Sequence, residues 1–334
     1  MRQPVLSLRR REWLALTAGL WLMPLAGARQ ERRTLFGSPA DLLLPQAASA
    51  VTGAAVWRGL QTMNERWSAW KPGDVTAVNR AFAAGRPVRT TPAVLSLIRG
   101  ATAMESLSQG LFNAGIGGLV GQWGFHDDHM RPGTKPPAGA IEAWVTARPS
   151  LTQIEARGLD LRSHNPRLQL DFGGYAKGVA LDWALDRLQL AGVHDALVNL
   201  GGNLAAMGGM SGRRWRVGVR DPHGPGLAAV IEVTGREAVV TSGSYERFRV
   251  LDGERFTHIL DPEHGRPAGE IDSVTVVHPS AAVADAAATA LLVAGPERWR
   301  GVAQRMGVDQ VLLIDRQGRR QATAVMSARL LAPS

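Results

Sequence analysis

Residues 171–182 read DFGGYAKGVALD, and residues 198–208, one helix later, read VNLGGNLAAMG. Upstream, Leu168 and Leu170 alternate with polar neighbours as at the end of a strand, so Asp171 stands at a strand exit and Gly173-Gly174 let the backbone turn tightly. Leu181, Ala184, Leu185 and Leu188 then recur at helical spacing, Gly192 offers a helix stop, and residues 196–200 read as a second buried strand. A strand, a glycine turn and a helix N-terminus therefore meet, where free backbone N–H groups and the helix dipole suit a phosphate. The spacing is neither G-x-G-x-x-G nor a P-loop, so a plain connection is the other reading of the turn. The chain has three lysines, Lys71, Lys135 and Lys177, against 35 arginines, and Lys177 falls in the first turn of this helix. The dipole disfavours a cation there unless an anion compensates it, although a solvated lysine fits the pattern equally.

Working outward, 334 residues with 45% apolar and 20% charged side chains describe a folded globular protein. The net charge of +9 is a nucleic-acid binder's, but the arginines are scattered and no aromatic-basic RNA motif occurs, which argues against nucleic acid as a partner. Arg9, Arg10 and Arg11, an apolar run from Trp13 to Leu25 and the A-x-A site Ala26-Gly27-Ala28 resemble a twin-arginine export signal. That predicts a signal peptide over residues 1–28, whose removal leaves a charge of +6, and one domain over 29–334 in the periplasm. The apolar run is too short for a membrane span, and the absence of cysteine excludes disulfides, thiolate metal sites and a lipidated cysteine.

Further along, the pattern predicts a strand near 42–44, helices over 47–67 and 93–107, a Pro/Gly loop over 130–138, and a strand-rich second half. Asp252-Gly253 marks a hairpin between 245–251 and 255–260. Asp285 and Thr289, four apart between the N-cap Ser280 and the stop Gly295-Pro296, share a helix face and could form part of a Mg²⁺ site. An acidic residue near a helix start and a back-bonding threonine explain the same pair without a metal. His258, on a strand in Thr257-His258-Ile259-Leu260-Asp261-Pro262, is either a general base or an ordinary half-exposed residue. His126-Asp127-Asp128-His129 is a poor metal cluster because consecutive loop residues rarely converge, and Ser242 lacks a nucleophile elbow.

Together these pieces resemble one family, the FAD:protein FMN transferases (ApbE family). DFGGYAKGVALD is similar to its D-L-G-G-x-A-K-G-x-x-x-D, VNLGGN to V-x-x-G-G-D, TSGSYERF to T-S-G-x-Y-x-R, THILDPEHGRP to H-H-I-x-D-P-x-T-G-x-P, and SVTVVHPSAAVADAAATALLVAG to S-V-T-V…A-D-x-x-x-T-x-x-x-x-x-G. Order and spacing agree over roughly residues 35–313. The resemblance implies an α+β fold, a compact two-lobed body of packed mixed sheets and helices with FAD in the cleft between lobes. It implies Mg²⁺-dependent movement of FMN from FAD to a Ser or Thr hydroxyl of an acceptor flavoprotein, with AMP released. Asp171 and Lys177 would contact FAD, the Gly174 carbonyl with Asp285 and Thr289 would hold Mg²⁺, and His258 would deprotonate the acceptor. Leu260, Phe36, Trp70 and the segment Trp123-Gly124-Phe125 would lie along the ligand. Asn203, His264 and Phe112-Asn113-Ala114-Gly115 depart from the family's Asp, Thr and F-D-x-T. The export signal and residues 112–126 look like the branch linked to nitrous-oxide reductase maturation, whose acceptor is a membrane flavoprotein. A non-catalytic flavin carrier and an FAD pyrophosphatase giving FMN and AMP are the rival readings.

Overall fold

The structure, a computed structural model, describes residues 27–332. The expected signal over 1–28 lies almost wholly outside them. Eight strands form the main sheet: β1 (Ala28–Leu35), β2 (Ser38–Pro45), β3 (Ala196–Leu200), β4 (Asn203–Met207), β5 (Arg236–Gly243), β6 (Ile271–His278), β7 (Val311–Asp315) and β8 (Arg320–Ala322). Each lies beside its predecessor and every pair is antiparallel, so the sheet is one long meander with excursions between strands. The α+β expectation holds; the sheets, however, are antiparallel rather than mixed, and parallel pairing among the described residues is confined to two isolated bridges.

The period-2 alternation of the strands sorts their side chains between two cores. Val198, Ala205, Val240, Val276 and Leu313 face one core, which is roofed by the helices α1 (Ala50–Arg66), α3 (Pro92–Leu107), α6 (Ala176–Leu190) and α7 (Ala281–Arg305). Leu197, Leu204, Val239, Val277 and Leu312 face the other, covered by a small sheet of Arg216–Arg220, Leu227–Glu232 and Leu330–Leu331. The remaining helices are α2 (Asp74–Ala83), α4 (Gly117–Gln122) and α5 (Ala138–Ala147). A third cluster, Ile116, Leu119, Trp123, Phe125, Trp144, Leu251 and Leu260, makes a small lobe around α4 and the hairpin Phe248–Leu251/Glu254–Thr257.

Where helices start, the sequence says why: the Oγ or Oγ1 of Ser49, Thr91 and Ser280 accepts a backbone N–H in the first turn of α1, α3 and α7. The expected stop at Gly295-Pro296 is a break instead, since Gly295 leaves helical geometry (φ 76°, ψ 174°) and the helix resumes at once to Arg305. Leu168 and Leu170 do not form a strand. Gln169 makes a single bridge to Ile116, and Asn79 brackets Leu170, accepting from its N–H at 2.7 Å and donating to its carbonyl at 2.9 Å. One side-chain amide thus does for Leu170 what a neighbouring strand would have done.

α6 and α7 run antiparallel and close, because both are built of small residues at the contact: a Cβ on Gly178 would sit 2.4 Å from the Ala281 carbonyl oxygen. That closeness lets each helix cap the other. Asp182 accepts from the N–H groups of Ala281 (2.7 Å) and Ala282 (3.1 Å) and from Ser280 Oγ (2.7 Å), while Asp285 accepts from the N–H of Gly178 (3.0 Å) in the first turn of α6.

Candidate active site

In an antiparallel meander alternate strands begin and end on the same side, so the exits of β1, β3 and β5 meet the starts of β2, β4 and β6. A cleft of about 530 Å³ opens there, between the main body and the small lobe. Its walls hold most of the residues expected from sequence: Phe36, Trp70, Phe125, Asp171, Gly174, Lys177, His258, Leu260, Asp285 and Thr289. Trp123 and Gly124 are the exceptions. Trp123 is buried in the small lobe with its indole N–H donating to the Gly265 carbonyl at 2.9 Å, and Gly124 (φ 74°) turns the chain against Arg249, so both support the wall from behind.

Phe36 and Gly37 form the two-residue β1–β2 turn, both left-handed (φ 52° and 69°), and the Phe36 N–H donates to Asn64 Oδ1 at 2.7 Å. A bulky aromatic held in that conformation is strained and is presented at the cleft mouth. Opposite, Trp70 stacks on His126 with ring centres 5.2 Å apart, and its indole N–H is buried without a partner. His126 Nε2 bonds Asp171 Oδ2 at 2.9 Å, and the Gly173 N–H donates to Asp171 Oδ1 at 2.8 Å. Burial raises the Asp171 pKa, but His126, the Gly173 N–H and the Arg247 charge together outweigh it and hold the carboxyl below the usual range. His126 therefore serves Asp171 and not a metal; its neighbours diverge, Asp128 to Lys71 at 2.6 Å and Asp127 Oδ1 to the His129 N–H at 2.9 Å.

At the foot of the cleft Asp285 has both carboxylate oxygens engaged, Oδ2 by Gly178 and Oδ1 by the side-chain amide of Asn203 at 2.9 Å. Thr289 Oγ1 lies one helical turn on, 3.5 Å from Ser242 Oγ. Gly174 packs directly on that hydroxyl, since a Cβ there would stand 2.7 Å from Thr289 Oγ1. The need for glycine at 174 is thus close approach and not a left-handed turn, for neither Gly173 nor Gly174 has a positive φ. One carboxylate and two hydroxyls in a cradle that a single Cβ would fill make a hard-oxygen set that fits Mg²⁺. Lys177 stands beside it, half-buried, and among the described residues it has no hydrogen bond or ion pair.

His258 stands just after the strand Glu254–Thr257, not within it. Its Nδ1 lies 3.0 Å from the Arg247 carbonyl oxygen. A carbonyl can only accept, so Nδ1 carries the hydrogen and Nε2 keeps its lone pair. Burial first, then the Arg247 charge, push the imidazole down to about 4, leaving it neutral over the physiological range. Arg247 also donates to the Phe125 and Asp127 carbonyls at 3.1 Å each, tying the entry of the hairpin to the segment that follows α4. Sequence reasoning weighed His126 only as a metal ligand and Ser242 only as a nucleophile, and it passed over Asn203's bond and Arg247, which lay in the TSGSYERF segment as a bare motif position.

Two departures have local explanations. His264 Nδ1 bonds Asp261 Oδ2 at 2.7 Å within the turn that the Gly265 N–H closes on the Asp261 carbonyl. Asn113 accepts from the Gly115 N–H at 2.7 Å and donates to the Pro149 carbonyl at 2.8 Å, a turn role in the cleft wall.

The ApbE family matches residues 36–312. An FAD:protein FMN transferase of Rhodobacter capsulatus is 39% identical over 289 residues, 86% of this chain, and the chain spans 55% of that relative's length. One of Treponema pallidum is 34% identical over 297 residues, 81% of this chain and 80% of its own. Among solved structures, the ApbE protein of Thermotoga maritima superposes with a TM-score of 0.83 at 26% identity, over 91% of this chain and all of its own. The apo flavinyl transferase ApbE of Pseudomonas stutzeri gives 0.79 at 29% identity, over 93% of this chain and all of its own.

Proposed function

We propose, for a chain that belongs to the ApbE family, that it transfers the FMN part of FAD to a Ser or Thr hydroxyl of an acceptor flavoprotein and releases AMP. The observation that carries this reading is His258: its Nδ1 is engaged by a backbone carbonyl, which leaves Nε2 as a neutral base on the wall of the cleft that holds the Asp285–Thr289 cradle. Nε2 takes the acceptor hydroxyl proton as that oxygen bonds to the FMN phosphorus and the bond from this phosphorus to the bridging oxygen breaks, the bridging oxygen leaving with AMP. Lys177, which makes no hydrogen bond or ion pair among the described residues, would face the phosphate charge, while Phe36, Trp70 and Leu260 offer apolar surface to the rings. Asp285, Thr289 and Gly174, joined by Ser242, would hold Mg²⁺, which when bound neutralises pyrophosphate charge.

The same reading puts the mature protein in the periplasm after twin-arginine export, acting on a membrane flavoprotein whose flavin domain faces that compartment. Residues 9–28 support it, and no helix among the described residues is long and apolar enough to cross a membrane. N-terminal sequencing of protein recovered from separated cell fractions tests the export. The transfer itself is tested by incubating the protein with FAD, Mg²⁺ and a candidate acceptor, then measuring intact masses and free FMN. An acceptor heavier by one FMN supports transfer; free FMN with an unmodified acceptor favours the pyrophosphatase, and neither product favours a flavin carrier.

A further inference from the structure

Asn203 begins β4, is 1% exposed, and points its side-chain amide at Asp285, 82 residues away in sequence. The bond has a direction. The Asn203 amide donates to Oδ1 and the Gly178 N–H donates to Oδ2, so the carboxylate is held from two sides by neutral donors, with its remaining lone pairs left for a cation. The charges that act on Asp285 are Lys177 on α6, Asp182, whose carboxylate is taken up by the first N–H groups of α7, and Glu246, whose carboxyl reaches the cleft beside Gly202 and, among the described residues, makes no hydrogen bond or ion pair with Asp285 or Lys177. Asp285 is thus the single carboxylate in contact with the cradle, and an ammonium group stands next to it.

We propose that Asn203, as a neutral donor, limits this cradle to one coordinating carboxylate, so that a divalent cation is not retained by the protein alone and enters together with the pyrophosphate of FAD. This rests on the transferase reading for the identity of the ligand. Affinity for a hard divalent cation rises with the number of charged oxygens that coordinate it, and a single coordinating carboxylate with an ammonium group nearby leaves the site short of anionic ligands. The pyrophosphate supplies the missing charge and at the same time engages Lys177. By linkage, the cation must then raise FAD affinity by the same factor as FAD raises that of the cation. An aspartate at 203 would have the same shape but would set a second carboxylate against Asp285, turning the cradle into a dicarboxylate that takes the cation without FAD.

The test measures Mg²⁺ binding by calorimetry and thermal midpoint, with and without FAD, on the wild type, Asn203→Asp and Asn203→Ala. For the wild type, 5 mM Mg²⁺ alone should move the midpoint by less than about 1 °C yet tighten FAD at least about tenfold. Asn203→Asp should gain several degrees from Mg²⁺ alone, and its FAD affinity should lose most of its Mg²⁺ dependence. Asn203→Ala removes the donor without adding charge and should bind Mg²⁺ alone as weakly as the wild type. Submillimolar Mg²⁺ binding by the wild type without FAD would overturn the inference, and that arm needs no variant to fold. Unchanged Mg²⁺ dependence in Asn203→Asp overturns it as well, while the transferase reading survives. Failure of the wild type to bind FAD under any condition overturns both.

Discussion

The position of the acid limb in the pH–rate profile is the sharpest consequence of the His258 environment. Burial and the neighbouring Arg247 charge push its pKa from 6.5 down to about 4. The pH dependence of kcat/KM reports groups of the free enzyme. With a base of pKa about 4, the active neutral form makes up about 97% at pH 5.5, whereas an unperturbed histidine would be only about 9% neutral there. Initial rates of FMN transfer should therefore stay level between pH 7.5 and 5.5, where an unperturbed base would give a drop of about tenfold. Arg247→Gln supplies the internal control. The Arg247 carbonyl that holds Nδ1 is backbone and survives the change, but the positive charge does not, so the limb should move to higher pH even if the absolute rate falls with loss of the contacts to Phe125 and Asp127. His258→Ala should fold, bind FAD and lose about two to four orders of magnitude in transfer. A wild-type limb centred near 6.5, or an alanine variant that transfers at the parent rate, would refute the assignment of Nε2 as the base.

The other expectations concern the foot of the cleft. Asp285→Asn offers one acceptor oxygen to the two donors now satisfied by the carboxylate, so denaturant unfolding should register a loss of about 1–3 kcal/mol while transfer collapses across a Mg²⁺ titration. If that variant transfers at the wild-type rate, Asp285 is a helix cap and nothing more. Calorimetry should rank FAD above FMN and riboflavin, and Lys177→Met should narrow the gap by about tenfold or more, the size of one charge-assisted phosphate contact; equal affinity for all three ligands removes the phosphate site. Gly178→Ala must push α6 from α7, because its Cβ would meet the Ala281 carbonyl at 2.4 Å. Thermal unfolding should record a destabilisation of about 1–3 kcal/mol or more despite the better helix propensity of alanine.

What could be read from the chain, and what could not, follows from how far apart the interacting groups are. α3 and α6 and the strands β2 and β3 were legible because an apolar pattern repeats within each, the start of α7 because of its N-cap Ser280, and the Asp252-Gly253 turn because both residues take a left-handed backbone (φ 50° and 81°) that few other pairs tolerate. The same local logic misread Leu168–Leu170, where alternation is real but the partner is a side chain, Asn79, contributed by α2. Site residues carried by a motif were found, and their working partners were not: His126 reaches Asp171 over 45 positions, Asn203 reaches Asp285 over 82, and Asp182 reaches the start of α7 over about 100. Those meetings depend on the meander. Each excursion between neighbouring strands must return to the same sheet, so the turns of β1–β2 and β3–β4 and the exit of β5 gather at one end whatever lies between them. A residue type therefore acquires its chemistry only from what the sheet brings beside it. The base role proposed for His258 depends on the carbonyl that Arg247 presents to Nδ1, and the neutral amide of Asn203 leaves Asp285 as the carboxylate that the cradle offers.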